Sequence, residues 1–265
     1  MAEIKAMKLK EKLYDEGIFD EYKGYYSQIK ENGVFGILHI KGNKIVGIRN
    51  RTNNPIFYLY PEFEDVKFKF NEGILVAEIV VFKNGKSVFY GGIDQRRSRK
   101  DDKENMVTAV VHDILKLEKQ ITINLPYSKR YELLSQNIGD EDRVRIFKNY
   151  DIRELWDKVI KENLEGMVLK NPKANYQLGI RSADYVKVKN YKETEVLIED
   201  TEENEKGIKI FGTTTIGGET LKVDCQFQNG GVNIGETVKV RYLDIFNGRL
   251  IQPTKSNGKV IKNGE

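Results

Sequence analysis

The sequence has almost none of the residues that crosslink a chain or build a zinc site. Cys225 is the only cysteine, and the sequence contains only two histidines. A single cysteine excludes both an internal disulfide framework and a cysteine-built zinc module. We therefore expect the protein in a reducing, cytoplasmic compartment.

Long apolar runs and a large charge of one sign are also missing. No hydrophobic stretch approaches the roughly 20 residues that cross a bilayer, and Met1 to Lys5 do not resemble a signal peptide. Lys and Arg number 44 and Asp and Glu 40, which gives a net charge of +4. The lack of a membrane-spanning run predicts no membrane partner. The charge balance is compatible with a polyanionic partner without demanding it.

Strand signals dominate the first half of the chain. The pair Gly42-Asn43 between two apolar runs is typical of a hairpin turn, and Asn84-Gly85 predicts a second hairpin. The charged segment 96–103 is predicted to be a mobile loop. The predicted strands are Val34–Ile40, Lys44–Ile48, Ile74–Phe82, Ser87–Tyr90 and Val107–Leu115.

Three short helices are predicted as well. Apolar residues among lysines and glutamates indicate an amphipathic helix over Ile4–Tyr14. Ser128 can cap a second helix, and Asp151 with Glu154 forms a capping box for a third. The fold class is therefore predicted to be α+β.

After Tyr191 the sequence changes to short strands separated by glycine turns. Val238 and its apolar neighbours at every second position alternate with polar residues, the pattern of a half-buried strand. The predicted strands are Gly207–Gly212, Leu221–Phe227 and Thr237–Ile245. Several short strands suggest a small barrel such as an OB-fold. We predict two domains, residues 1–191 and residues 192–265.

The stretch from Asn163 to Lys189 carries the strongest chemical signal. Glu165 opens a short apolar run that ends in Lys170, and Lys187 and Lys189 stand two residues apart. Residues two apart on a strand share a face, so both ammonium groups point the same way. Two cations beside an acid suit a polyphosphate and its metal ion, although a plain hairpin with a solvated lysine face has a similar sequence.

A further lysine upstream, Lys30, makes the first reading the stronger one. With Glu31, Asn32 and Gly33 it resembles the K-x-[D/N]-G motif of the covalent nucleotidyltransferases, which include DNA ligases, RNA ligases and mRNA capping enzymes. That superfamily also carries an E-G-hydrophobic-hydrophobic-K segment and a late K-x-K motif. Residues 165–170 and 187–189 match both, in the same order.

The resemblance implies an adenylation (nucleotidyltransferase) domain with antiparallel sheets, followed by the OB-fold barrel. Lys30 would be the nucleophile that attacks ATP, and a lysine amine attacks phosphorus only when deprotonated. Glu165, Lys187 and Lys189 would complete the catalytic set, with the two lysines on the α-phosphate. Glu78 and Glu165 would hold Mg²⁺ (or Mn²⁺).

The same resemblance places further cofactor contacts. Gln28 and Ile29 directly precede the nucleophile and would line the nucleotide site. Arg51, with Arg49 as the alternative, would contact the ribose or the nucleic-acid end. His112 stands where the family carries an aromatic ring that stacks on the purine, and an ordinary strand histidine is the open alternative.

The segments between the motifs resemble DNA ligases in particular. His112 to Leu115 and then Leu125 to Arg130 follow the F-D-[L/I]-L and L-P-x-x-x-R segments of those enzymes. Tyr176 to Tyr185 resembles the segment ahead of their final lysines, and Arg181 in it would contact phosphate. Nucleic-acid contacts are therefore predicted at Arg49, Arg51, Arg181, Lys239 and Arg241, the last two on a strand of the barrel.

Two departures leave alternatives open. Asn32 replaces the usual aspartate, and Phe35 replaces an arginine, which leaves room for an RNA ligase. An mRNA capping guanylyltransferase shares the core but uses GTP, and a non-catalytic OB nucleic-acid-binding module is the non-enzyme alternative. NAD-dependent ligases carry an N-terminal domain and a cysteine zinc module that do not occur in this sequence.

The resemblance taken together predicts an ATP-dependent DNA ligase. It would seal 5′-phosphate/3′-hydroxyl nicks in duplex DNA, with RNA or an RNA/DNA hybrid as a possible substrate, through a covalent lysyl–AMP. The small size is typical of a minimal ligase that acts as a monomer in a bacterial or a virus- or phage-infected cell.

Overall fold

The structure is a computed structural model that describes residues 4–83, 86–87, 106–139, 143–228 and 231–256. The predicted turn at Asn84-Gly85, the strand Ser87–Tyr90 beyond its first residue and the charged segment 96–103 lie outside these residues. The chain divides into two compact units, Met1–Lys189 and Asn190–Glu265. Each unit is described by itself.

The first unit contains eleven strands, three α-helices and two 3₁₀ helices among the described residues. The strands are β1 (Lys8–Lys12), β2 (Tyr26–Ile29), β3 (Val34–Lys41), β4 (Lys44–Arg49), β5 (Glu72–Lys83), β6 (Lys86–Ser87), β7 (Met106–Leu117), β8 (Gln120–Ile121), β9 (Val144–Ile146), β10 (Gly166–Lys170) and β11 (Arg181–Lys189). The α-helices are α1 (Ile18–Glu21), α2 (Tyr127–Asn137) and α3 (Ile152–Lys161), and the 3₁₀ helices are Phe57–Leu59 and Pro61–Phe63.

Two sheets organise this unit. The larger sheet has the order β4-β3-β5-β7-β8, all antiparallel, with β6 paired to β5 and β9 paired in parallel to β7. Its central strand β5 is apolar at successive positions because both of its faces are buried. Leu75 and Ala77 pack into one core cluster, and Val76 packs into another on the opposite face. The four strands predicted here, including the hairpin at Gly42-Asn43, are confirmed.

The smaller sheet positions the candidate site and has the order β1-β11-β10-β2. Its inner pairs, β10 with β11 and β10 with β2, are antiparallel. The outer strand β1 runs parallel to β11, and Lys8 lies opposite Arg181 and Glu11 opposite Lys187. The sheet packs on α1 and α3 through Trp156 and its apolar neighbours.

Two of the predicted local structures are wrong. The segment predicted as a helix over Ile4–Tyr14 contains the strand β1 instead. The edge of β11, which is distant in sequence, provides partners for its backbone hydrogen bonds. Ser128 does not cap α2, which begins at Tyr127 after Pro126. The free amides of Tyr127 and Ser128 donate to the carbonyls of Ala174 and Pro172, at 2.8 and 2.9 Å, so no capping side chain is needed.

The cap at the start of α3 is confirmed. Asp151 Oδ1 accepts hydrogen bonds from the backbone amides of Arg153 and Glu154, at 2.9 and 3.3 Å. These two amides have no partner within the helix, so the carboxylate satisfies them. The apolar face that follows, with Leu155 and Val159, is buried against the smaller sheet.

The second unit is built from strands alone among its described residues. They are β12 (Lys192–Asn204), β13 (Gly207–Ile216), β14 (Glu219–Phe227), β15 (Thr237–Tyr242), β16 (Asp244–Phe246), β17 (Arg249–Ile251) and β18 (Thr254–Lys255), in the order β16-β17-β14-β13-β12-β15-β18. Val196 and Val240 are fully buried in its core, where Cys225 is 1% exposed. The long strand β12 was not predicted, because it has only two buried residues and five of its 13 positions are glutamates.

The part of the chain that the structure describes is mostly β rather than an even mixture of helices and strands. The longest described helix, α2, has 11 residues, and β5 and β7 each have 12. No described helix has the length and apolar character that crossing a bilayer requires.

Candidate active site

The first unit contains a cavity of about 420 Å³ between its two sheets. Eight of the side chains predicted from the sequence to bind nucleotide or nucleic acid lie on its wall: Gln28, Ile29, Lys30, Arg51, Glu78, His112, Arg181 and Lys187. The other lining residues are Met7, Lys8, Leu9, Glu31, Phe35, Phe147, Val168, Lys170, Tyr176 and Tyr185. Residues far apart in sequence therefore converge on one cavity.

Lys30 and Glu165 form an ion pair at the edge of this cavity. The Lys30 Nζ and Glu165 Oε1 atoms are 2.5 Å apart, and the glutamate side chain is only 4% exposed. The strands β2 and β10 hold the pair in place. Lys30 directly follows the end of β2, and its backbone amide donates to the carbonyl of Gly166 in the neighbouring strand β10, at 2.9 Å. The geometry fixes the ammonium group against a buried carboxylate.

Gly166 explains why this arrangement requires a glycine after the glutamate. Its φ is +150°, and a Cβ atom there would lie 2.1 Å from the carbonyl oxygen of Val188. Any larger residue would push β11 away from β10. Since Lys187 and Lys189 lie on β11, it would also move both lysines.

The lysine pair of β11 shares one carboxylate, that of Glu11. Glu11 Oε2 lies 2.8 Å from Lys187 Nζ and 3.5 Å from Lys189 Nζ. The two lysines therefore do face the same way, as their spacing indicated, and Glu11 reaches them because β1 pairs with β11. Burial lowers the pKa of Lys189 from its usual value. Lys189 does not line the cavity itself, although Lys187 does.

Glu78 and Arg51 lie on another part of the wall. Burial raises the pKa of Glu78 to about 7, although the nearby charges of Lys30 and Arg51 oppose this shift. The Arg51 guanidinium lies over the ring of Phe35, 4.8 Å from its centroid. Phe35, the residue that stands where an arginine was expected, thus supports a neighbouring arginine through a cation–π contact.

The carboxylates at the site are suited to a hard divalent cation. Glu165 Oε2 is buried and has no hydrogen-bond partner among the described residues, and an unpaired buried carboxylate oxygen is costly unless a cation or donor satisfies it. The described residues contain no cluster of three or more His, Cys, Asp and Glu side chains. Magnesium is compatible with this, because it commonly binds one or two carboxylates and keeps waters or phosphate oxygens as its other ligands.

One end of the cavity is lined by aromatic rings. The rings of His112 and Phe147 are 5.8 Å apart, edge to face, and burial lowers the pKa of His112 well below its usual value, so the imidazole is neutral. Lys170, 3% exposed, donates to the His112 carbonyl at 2.9 Å and to the Tyr127 hydroxyl at 3.2 Å. Burial lowers the pKa of Lys170 to about 7.

A buried ion pair supports this end from behind. Arg130 Nε lies 2.7 Å from Asp113 Oδ1, and both side chains are fully buried. The same guanidinium donates to the Tyr185 hydroxyl at 2.6 Å. These contacts join β7, α2 and β11, so this pair is a structural element of the cavity wall. Asp113 and Arg130 belong to the two segments that resembled DNA ligases between the motifs.

The remaining predicted site residues lie elsewhere. Arg49 is exposed and donates to the carbonyl of Asn53 at 2.9 Å, outside the cavity wall. Lys239 and Arg241 lie in the second unit on β15, where buried and partly exposed residues alternate as predicted. The Arg241 guanidinium lies 5.2 Å from the ring centroid of Tyr191.

Four residues that shape the site were not predicted from the sequence: Glu11, Tyr127, Phe147 and Tyr185. Glu11 lies among lysines in a segment predicted as a helix, and Tyr127 lies next to a predicted helix start, so neither had a pattern of its own. The sequence indicated Lys170 as the end of an apolar run, but it did not indicate that this lysine is buried. A buried lysine without an adjacent carboxylate can be recognised only from the structure.

Comparison with known proteins identifies this arrangement. The family model of the ATP-dependent DNA ligase domain matches residues 8–189. The chain belongs to this family. The predicted membership of the ATP-dependent DNA ligases is therefore confirmed, and the matched residues include both sheets of the ligase domain and every lining residue of the cavity except Met7.

Curated relatives of the ligase domain carry the same description. A DNA ligase of Archaeoglobus fulgidus is 25% identical over 169 residues, which cover 59% of this chain and 30% of that protein. An SPbeta prophage-derived DNA ligase-like protein of Bacillus subtilis is 28% identical over 178 residues, 66% of this chain and 65% of the relative. The chain thus spans about a third of the first relative and about two thirds of the second.

Solved ligase structures share the fold of this chain. A mycobacterial DNA ligase D complexed with ATP and MES superimposes with a TM-score of 0.61 at 17% identity, over 98% of both chains. A minimal Lig E DNA ligase gives 0.68 at 16% identity, over 98% of this chain and 100% of the other. The adenylation-domain fold with antiparallel sheets, expected for the first unit, is thereby confirmed.

Proposed function

We propose that this chain is an ATP-dependent DNA ligase that seals 5′-phosphate/3′-hydroxyl nicks through a covalent lysyl–AMP on Lys30. The observation that carries the proposal is the Lys30–Glu165 ion pair, 2.5 Å long, on a cavity large enough for a nucleotide. Many lysines are exposed, but few are held against a buried carboxylate at the edge of a cavity. Family membership supports the same chemistry.

The first step is attack of the deprotonated Lys30 amine on the α-phosphorus of ATP. A nitrogen–phosphorus bond forms, the bond from the α-phosphorus to the bridging oxygen breaks, and pyrophosphate leaves with the electron pair. Glu165 holds Nζ in position and accepts hydrogen bonds from it. Positioning of this kind lowers the activation barrier, because the entropy cost of orienting the amine toward the phosphorus has already been met in the folded protein.

The phosphates are stabilised by cations on one side of the cavity. Lys187 and Lys189 would bind the α-phosphate, where negative charge develops during the transfer. Glu78 and Glu165 would hold Mg²⁺ or Mn²⁺, which when bound neutralises phosphate charge. Glu78 must be ionised for this role, but burial raises its pKa to about 7. A bound cation would lower this pKa and so favour loss of the proton.

The adenosine occupies the aromatic end of the cavity. The neutral His112 ring would stack on the purine, and Arg51, which lines the same cavity, would contact the ribose. Gln28 and Ile29 lie on the same wall, directly before the nucleophile. This placement would bring the α-phosphate next to Lys30.

In the later steps AMP moves to a 5′-phosphate, and a 3′-hydroxyl then displaces it to join the strands. Arg181 on the cavity, Arg49 and Arg51 on the first unit and Lys239 and Arg241 on the second would bind the nicked duplex. We propose that the chain acts as a monomer, with an adenylation domain over residues 1–191 and an OB-fold over residues 192–265.

The strand order of the second unit supports the OB-fold proposal. Strands β12, β13 and β14 form an antiparallel meander, and β15 returns to pair with β12. The later strand β17 pairs in parallel with β14. A meander whose first strand is joined by a later strand is the arrangement of a small, partly open Greek-key barrel.

Labelling with radioactive ATP and magnesium tests the proposal. Wild type should form an acid-labile adenylate that survives a denaturing gel, and Lys30→Ala should form none. Lys161→Ala, on an exposed position of α3, is the matched control and should label normally. The labelled protein should then seal nicked DNA in preference to nicked RNA. Absence of label on the wild type with both ATP and GTP would refute the catalytic proposal.

A further inference from the structure

The Tyr127 hydroxyl connects three groups at the aromatic end of the cavity. It donates to the carbonyl of His112 at 3.1 Å and accepts from Gln28 Nε2 at 2.9 Å and from Lys170 Nζ at 3.2 Å. A phenol has one proton and two acceptor lone pairs. All of its hydrogen-bonding capacity is therefore used by these three neighbours.

This arrangement determines which way the Gln28 amide points. Because the hydroxyl proton is directed to His112, Tyr127 can only accept from Gln28, so the amide nitrogen faces Tyr127 and Oε1 faces away. Gln28 is 1% exposed and lines the cavity. Among the described residues, no donor is hydrogen-bonded to its Oε1. This atom is not one of the buried side-chain atoms that lack a partner, so it is open to the cavity, where a ligand or water can donate to it.

The two purines differ in the group that they would present there. Adenine carries an exocyclic amine, which donates, where guanine carries a carbonyl oxygen, which accepts. Gln28 Oε1 can pair with the amine and repels the carbonyl, whereas a reversed amide would present its NH₂ group and favour guanine. The orientation of one side-chain amide therefore decides the preferred base.

We propose that Tyr127 is a positioning residue that fixes the Gln28 amide and so makes the cavity select adenine over guanine. This inference rests on the proposed function, because it assumes that the cavity binds a nucleotide. The ring of Tyr127 is fully buried and packs edge to face with the rings of Tyr26 and Tyr185, with centroids 5.3 and 5.5 Å away. Tyr127→Phe keeps this packing and removes only the hydroxyl.

The test is the ratio of ATP to GTP dissociation constants, measured by titration calorimetry without metal on the full chain. Tyr127→Phe should lower the preference for ATP roughly tenfold or more, since the freed amide can reverse and pair with guanine. The double variant Gln28→Glu with Tyr127→Phe should recover the preference, because a carboxylate presents an acceptor in either orientation. The matched control is Tyr131→Phe on the same helix, whose hydroxyl donates to the Phe147 carbonyl at 3.0 Å. Its ratio should equal that of the wild type.

Two results would overturn the inference: an unchanged ratio in a folded Tyr127→Phe protein, or failure of the double variant to recover the ATP preference. A loss of affinity for both nucleotides in equal proportion would likewise assign Tyr127 a purely structural role. The measurement needs no transfer to Lys30. Selective ATP binding without adenylation would therefore refute the proposed reaction alone, while a wild type that binds neither nucleotide would refute both.

Discussion

Glu11 Oε2 lies 2.8 Å from Lys187 Nζ and 3.5 Å from Lys189 Nζ, so a single carboxylate contacts both lysines proposed to bind the α-phosphate. The three side chains come from the parallel strands β1 and β11. A nucleotide phosphate that approached these lysines would compete with Glu11 for the same hydrogen-bond donors.

Glu11→Gln should therefore strengthen nucleotide binding. The amide keeps the shape of the side chain but removes the competing charge, and a partly exposed ion pair is worth about 0.2–1 kcal/mol. We expect the KM for ATP in the adenylation reaction to fall about two- to fivefold, with a smaller change at high salt. Glu21→Gln removes the same charge from a pair with Lys12 on the exposed side of α1 and serves as the control. A higher KM for Glu11→Gln would show that Glu11 organises the lysines instead.

Removal of Lys30 should destabilise the fold as well as abolish adenylation. Lys30→Ala leaves the Glu165 carboxylate, 4% exposed, without its partner, and an unpaired buried charge costs about 1–3 kcal/mol. Glu165→Gln in the same protein should recover most of that loss. Urea unfolding without nucleotide measures both changes. Lys116→Ala, which removes an exposed pair with Glu72, should cost at most about 1 kcal/mol. Equal stabilities of Lys30→Ala and the double variant would contradict the expected cost of an unpaired Glu165 carboxylate.

Glu78 should make stability depend on pH in the direction opposite to an ordinary carboxylate. Its pKa rises from 4.5 to about 7 on folding, so the native state retains a proton that the unfolded chain has lost between these values. Stability therefore falls as the pH rises through this window. Glu78→Gln lacks the penalty, and its melting temperature should match wild type near pH 4.5 and exceed it above pH 7.

Melting curves at pH 5 and pH 8, with metal chelated, measure this difference. Glu72→Gln is the matched control, because its exposed carboxyl has a lowered pKa through its contact with Lys116 and should not gain stability at high pH. A Glu78→Gln protein that gains no stability at pH 8 relative to pH 5 would refute the raised pKa.

The Arg130–Asp113 pair should dominate the stability of the cavity wall. Arg130→Met strands a fully buried carboxylate and should cost about 3–5 kcal/mol, whereas Arg130→Met with Asp113→Leu should recover part of this. Lys129→Met, at the neighbouring exposed position, should change stability by less than about 0.5 kcal/mol. Chemical denaturation compares all three proteins. A loss of stability below about 1 kcal/mol for Arg130→Met would contradict the structural role of the buried pair.

Features that depend on local pattern were predictable from the sequence. Alternation predicted that Lys187 and Lys189 share a face, and the capping signal at Asp151 predicted the start of α3. The glycine after Glu165 was noted only as part of a motif, but the approach of the Val188 carbonyl explains it. The shared face of the two lysines and the cap at Asp151 are determined by neighbours within a few residues along the chain, whereas the need for Gly166 comes from the pairing of β10 with β11.

Features that depend on pairing across the chain were not predictable. The strand β1 was predicted as a helix because its own residues suit either structure, and β11, more than 160 residues later, decides between them. Glu11 at the lysine pair follows from that pairing, and so it was missed as well. Tyr127 acquires its role only when α2 packs against the ends of β2 and β10.

The burial of Cys225 gives the protein a practical property. Its thiol is 1% exposed, and burial raises its pKa to about 12. We therefore expect the thiol to keep its proton and to stay unmodified by thiol reagents at neutral pH. One cysteine introduced at a chosen surface position would therefore carry a fluorescent or spin label alone. Labels placed in this way could report distances during nucleotide binding without prior removal of a native thiol.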